Sequence, residues 1–131
     1  MTSPKKILVI DDEEILTKTF SRLLERSGYE VYTAKNGQDA QIMVEDEKFD
    51  LIICDIRMPG LNGVETVRKI KEILEARGSD VTPVIFIAGY ADVKLESEAW
   101  SLKPIAYLYK PFDNFELLRI VEKGVSEHGS G

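Results

Sequence analysis

Four charged side chains stand where apolar runs stop. "KILVI" runs into Asp11 and Asp12, "LIIC" into Asp55, and "IAYLY" into Lys110, with Pro111 directly after it. Carboxylates gathered in one place repel one another, and a hard divalent cation offsets that repulsion. Oxygen ligands alone select such an ion, and a partly hydrated Mg²⁺ suits a pocket that awaits phosphate oxygens. A plainer reading also exists. Asp caps helices and opens turns, acids favour a helix N-terminus, and a lysine at a strand end is ordinarily solvated. Glu13 and Glu14 suit the plainer reading. For Asp11, Asp12, Asp55 and Lys110 the answer depends on how the chain folds.

The elements that would position them alternate in type. The runs 6–10, 29–34, 50–54, 83–88 and 105–109 are short, apolar and rich in β-branched or aromatic residues, as strands are. Between them lie stripes at helical spacing. Leu16, Phe20, Leu23 and Leu24 form the first, with Gly28 as its stop. Ala40, Met43 and Val44 follow, then Val64, Val67, Ile70 and Leu74, ended near Gly78. Leu95, Ala99 and Leu102 give a weaker one, and Leu117, Leu118, Val121 and Val125 close the chain. Five strand–helix alternations predict an α/β fold: a doubly wound, five-stranded parallel sheet with helices on both faces. In the flavodoxin-like (βα)5 order 2-1-3-4-5, strands one and three are neighbours at the point where the winding reverses, where such sheets bind ligands. Asp11, Asp12 and Asp55 would then share one small pocket, with Lys110 aimed toward it. Pro111 is a candidate cis peptide that would set the direction of that lysine.

Bulk properties narrow the classes. The 131 residues make one ordinary domain with a real core. A formal charge of -6 argues against direct contact with nucleic acid. Cys54 is the single cysteine, so no disulfide forms within the chain, and its place in an apolar run reads as an inert core thiol. No run approaches the ~20 apolar residues of a membrane span. These features predict a cytoplasmic protein with no membrane contact. The expected domain is 5–126, with loose tails at 1–4 and 127–131; His128 falls in the second tail and reads as solvent-exposed.

Four segments in register, "ILVIDDEE", "LIICDIRMPGLNG", "PVIFIAGYAD" and "YLYKPF", resemble the receiver domain of two-component response regulators over about residues 5 to 126. The resemblance implies that Asp55 is the phosphoacceptor, charged by the phosphohistidine of a histidine kinase or a phosphotransfer protein. It implies that Asp12 and Asp55 hold Mg²⁺ directly, Asp11 through water, and that the backbone carbonyl of Arg57 completes the protein ligands. Lys110 would pair with the phosphoryl oxygens, and the Gly89 N–H would contact them. Gly60 and Gly63 fit the family's turn. An unknown output partner would dock on the fourth helix, fifth strand and fifth helix. Such a domain is no enzyme beyond promoting its own phosphotransfer and dephosphorylation.

One position departs from the pattern. The family carries Thr or Ser at the end of strand four, and this chain has Ala88. The aromatic that answers that hydroxyl is present as Tyr107. Thr82 lies before the strand and Ser97 well into the next helix, so neither substitutes obviously; Tyr90 is the nearby hydroxyl that would have to reach inward. Phosphorylation with a weakened conformational coupling is the expectation. Arg57 and Tyr90 stand at positions that tune acyl-phosphate hydrolysis in the family, or are ordinary loop residues.

Competing functions differ in what they need. A receiver fold used as an interaction module without phosphorylation is the alternative that Ala88 motivates. A Mg²⁺-dependent aspartyl phosphatase would carry its nucleophile on the first strand with a second Asp two residues on; here Asp55 is on the third strand and Arg57 occupies the place two residues on. A nucleotide or FMN domain would need a Gly-rich phosphate loop, and acids stand where those amides belong.

Overall fold

The computed structural model describes residues 3–129, with side chains through Ser126. Five strands and five helices alternate: β1 (Lys6–Ile10), α1 (Glu14–Arg26), β2 (Glu30–Ala34), α2 (Gly37–Asp46), β3 (Leu51–Asp55), α3 (Gly63–Ala76), β4 (Val84–Ala88), α4 (Val93–Ser101), β5 (Ala106–Tyr109) and α5 (Asn114–Gly129). The sheet order is β2-β1-β3-β4-β5, and each neighbouring pair is parallel. The doubly wound α/β fold expected from the alternation is the one observed.

Strand pleating explains the two cores. Side chains alternate between the faces of a strand. Leu8, Ile10, Ile52, Cys54, Val84, Phe86 and Ala88 point to one face and pack against α2, α3 and α4, through residues such as Val44, Val67, Ile70 and Ala99. Ile7, Val9, Leu51, Ile53, Ile85 and Ile87 point to the other and meet α1 and α5 through Phe20, Leu24, Leu117 and Val121. This two-sided burial is why β3 and β4 read as continuous apolar runs rather than alternating ones. A cavity-forming change such as Ile53→Ala should cost about 2–5 kcal/mol.

Local signals set where the helices begin. Asn36 caps α2 by accepting from Asp39 N. Asn62 and Glu65 form a reciprocal capping box on α3, and Asp92 caps α4 by accepting from Leu95 N. Gly63 is required by contact rather than by backbone angle: a Cβ there would meet the Asp55 carbonyl and lie 2.9 Å from Ile56 Cα. Its N–H also donates to Ile56 O at 2.8 Å. Helix α3 is thereby pressed against the end of β3.

α5 continues by backbone conformation through Gly129, into residues 127–129 of the expected tail. The His128 side chain and residues 1, 2, 130 and 131 lie outside what is described. Among the described residues no helix is long and apolar enough to cross a membrane.

Candidate functional site

The carboxyl edge of the sheet gathers the charged residues. Because β1 and β3 are hydrogen-bonded neighbours, Asp11, just past β1, and Asp55, the last residue of β3, come side by side. Asp12 follows on the surface. One oxygen from each of Asp11, Asp12 and Asp55 lies within 4.8 Å of the others. Asp11 is 3% exposed and Asp55 6%, whereas Asp12 faces solvent. The site is therefore enclosed on the sheet side and open at the rim.

Lys110 enters from β5. Its backbone N–H donates to Ala88 O at 2.8 Å, which carries the sheet pairing one residue past β5. The Lys110–Pro111 bond is cis. Lys110 Nζ stands 3.7 Å from Asp55 Oδ1, 3.9 Å from Asp11 Oδ2 and 3.5 Å from Glu13 Oε1. Glu13, assigned to the helix terminus by its sequence position, is thus also a partner of this lysine. That contact was not legible in "DDEE", because it depends on where the fifth strand delivers its ammonium.

Burial and like charge act together on the acids. Burial, followed by the Asp11 carboxylate, pushes the Asp55 carboxyl up to about 7, with Lys110 pulling the other way. Burial also raises Asp11, opposed by the hydrogen bond that Asp11 Oδ1 accepts from Glu13 N at 2.9 Å and by Lys110. Near neutrality Asp55 holds a proton part of the time. A single ammonium is not enough countercharge for this cluster. An all-oxygen donor set of this spacing, with its buried acids reluctant to ionise, fits a hard divalent cation that would displace the proton.

The response regulator receiver domain family model matches residues 7–122. The chain belongs to that family. Among curated relatives, this receiver is 36% identical over 113 residues to the transcriptional regulatory protein CrdR of Helicobacter pylori, covering 86% of this chain and 51% of that protein. It is 34% identical over 125 residues to the regulatory protein AtoC of Escherichia coli, covering 95% of this chain and 26% of that protein. The receiver thus spans between a quarter and half the length of these relatives. Among solved structures, a CheY-like receiver domain protein of Methanospirillum hungatei superimposes with a TM-score of 0.88 at 26% identity, covering 98% of both chains. The chemotaxis protein CheY4 of Vibrio cholerae gives 0.82 at 28% identity, covering 92% of this chain and 98% of that one.

The remaining positions surround the receiver's acidic pocket unequally. Ala88 ends β4 and is buried, and Gly89 follows it at the surface. Tyr90 is 72% exposed, so its hydroxyl does not reach inward in this arrangement. Thr82 donates its hydroxyl to Phe49 O at 3.5 Å, away from the pocket, and Ser97 is exposed on α4. Tyr107 is half-buried on β5 beside Phe86, Trp100 and Tyr109. Arg57 sends its guanidinium to Asp92 Oδ2 at 2.8 Å, tying the β3–α3 loop to the start of α4. Asp92 was missing from the expected site. Its position before a helical stripe marks it as a cap, but no local pattern pairs it with a residue 35 positions earlier.

Proposed function

We propose that this receiver takes a phosphoryl group onto Asp55 from the phosphohistidine of a histidine kinase or phosphotransfer protein, in a Mg²⁺-dependent reaction, and signals to a partner in the cytoplasm. The observation that carries the reading is the buried Asp55 carboxylate held 3.7 Å from Lys110 within a group of three acids. Asp55 attacks phosphorus through a carboxylate oxygen, the donor's N–P bond breaks as the new O–P bond forms, and the departing imidazole takes a proton from solvent. Asp12 and Asp55 would hold the ion directly, Asp11 through water, with the Arg57 carbonyl alongside. Bound Mg²⁺ would neutralise charge on the nucleophile and on the phosphoryl oxygens. Lys110 offers the incoming oxygens a positive charge, and Gly89, exposed just past β4 with open space where a Cβ would sit, would offer its N–H to them.

Ala88 supports a second reading, an interaction module with this fold that is not phosphorylated. A small acyl-phosphate donor separates the two. With Mg²⁺, intact-mass spectrometry should show one added phosphoryl group, absent without the ion and abolished by Asp55→Asn. An unmodified wild-type chain would favour the second reading. The output partner, expected at α4, β5 and α5, and any output domain in a longer chain belong to the same proposal; the relatives named as transcriptional regulators motivate it.

A further inference from the structure

One acid at the rim serves neither the helix it starts nor the group of three carboxylates. Glu13 holds the N-cap position of α1 with extended backbone, yet its side chain caps no backbone N–H. Short side chains such as Ser and Asp are the usual caps, because they reach the N–H groups of the first turn. The Glu13 carboxylate lies instead 3.5 Å from Lys110 Nζ, a residue 97 positions further along the chain. No other described acid comes nearer to that ammonium: Asp55 stands at 3.7 Å and Asp11 at 3.9 Å.

The root of this side chain is fixed and its tip is free. Glu13 N donates to Asp11 Oδ1 at 2.9 Å. Glu13 O accepts from Thr17 N at 3.0 Å and from the Thr17 hydroxyl at 2.8 Å. The side chain beyond is 64% exposed, against 22% for Lys110. Glu13 can therefore release the lysine without disturbing the backbone that carries it.

Charge decides when it should do so. Asp11 and Asp55 belong to the group of acids suited to a divalent ion, and Glu13 lies outside that group. Glu13 would thus keep its charge for Lys110 with the ion in place. A phosphoryl group brings a charge of about -1.5 to -2, more than the single charge of Glu13. Resting on the phosphorylation proposed above, we propose that Glu13 is a positioning residue that holds the Lys110 ammonium at the rim, and that Lys110 leaves it to reach a phosphoryl group at Asp55. An ion pair this exposed holds weakly, so Glu13 slows the transfer and does not prevent it.

The full chain is given Mg²⁺ and a small acyl-phosphate donor, and its intact mass is followed against time. Glu13→Gln keeps the side-chain length and removes the charge. It should gain phosphate about two- to fivefold faster than the wild type, the range expected for one exposed ion pair. Glu14→Gln, whose acid pairs with Lys18 at 3.7 Å, should match the wild type. In a Lys110→Met background Glu13→Gln should change nothing, since no ammonium is left to hold. Equal rates in Glu13→Gln and the wild type overturn the proposal. So does an acceleration that Glu14→Gln shares or that persists in Lys110→Met, because Glu13 then merely repels the donor. Without any donor, the Lys110 Cε resonance should shift in Glu13→Gln and stay in place in Glu14→Gln. An unmoved resonance in Glu13→Gln also overturns the proposal, and this comparison decides the matter if Lys110→Met takes no phosphate. Failure of the wild type to gain mass sinks the phosphorylation reading alone, because the resonance needs no phosphate.

Discussion

Lys110 Nζ lies 3.7 Å from Asp55 Oδ1, across the end of a strand that belongs to neither. β4 separates β3 from β5, and the lysine passes over Ala88, whose carbonyl it also bonds through its own N–H. The pair is thus fixed by the register of three strands, and its charge balance follows from that geometry.

Removing the ammonium should raise the Asp55 carboxyl above its value of about 7, since Lys110 is what holds it down. Lys110→Met should show this in a carboxyl ¹³C NMR titration of Asp55. Asp11→Asn should move the same resonance the other way, because the Asp11 charge pushes Asp55 up. Opposite directions for the two variants are the expected signature.

The same acid makes the metal-free fold sensitive to pH. Between about 3.8, the ordinary value, and about 7, the folded protein keeps a proton on Asp55 that the unfolded chain has released. Stability should therefore fall as pH rises through that window and level off above it. Each pKa unit corresponds to about 1.4 kcal/mol before solvent screening reduces it. Urea unfolding across this range should show a shallower slope for Asp55→Asn, and Mg²⁺ should stabilise the wild type most at the upper end.

Gly63 offers a test of the loop that frames the pocket. An added methyl would press on the backbone of Asp55 and Ile56 rather than on a movable side chain. Gly63→Ala should lower stability by about 1–3 kcal/mol. It should also weaken Mg²⁺ binding in a calorimetric titration, by displacing the carboxylate that ends β3. A variant with wild-type stability would show that α3 can move outward freely.

Much of this architecture was legible in the residues. Continuous apolar runs at β1, β3 and β4 announce strands covered on both faces, and the acids at the ends of β1 and β3 mark the edge where a doubly wound sheet opens. Asp11, Asp12, Asp55 and Lys110 could be found that way because each sits at the end of a strand or within two residues of it, so strand order brings them together. The Arg57–Asp92 pair and the Lys110–Glu13 contact were not legible. They join loops through long side chains whose directions depend on tertiary packing. The orphaned Tyr107 hydroxyl was half visible: Ala88 announced that a hydroxyl was missing at the end of β4, but not that the phenol would be buried without a partner. The full length of α5 was not legible, because the polar residues after Val125 carry no apolar stripe, although nothing in them forbids another helical turn.

Ala88→Thr should restore a hydroxyl at the rim. A hydrogen bond to a charged oxygen is worth roughly 1.5–3 kcal/mol, comparable to a typical coupling between sites of about 1–3 kcal/mol. Phosphodonor-dependent shifts of α4 and β5 amides in NMR spectra should be larger in the variant than in the wild type. Equal shifts would mean that the hydroxyl adds nothing to the coupling already present.

The most direct measurement maps the modified atom. Borohydride reduces an aspartyl phosphate to homoserine, so the chain is treated with a small acyl-phosphate donor and Mg²⁺, reduced, digested and sequenced by mass spectrometry. Homoserine at position 55, and its disappearance when Mg²⁺ is chelated, is the expected result. An intact Asp55, or reduction at a different carboxylate, would contradict the assignment of this pocket.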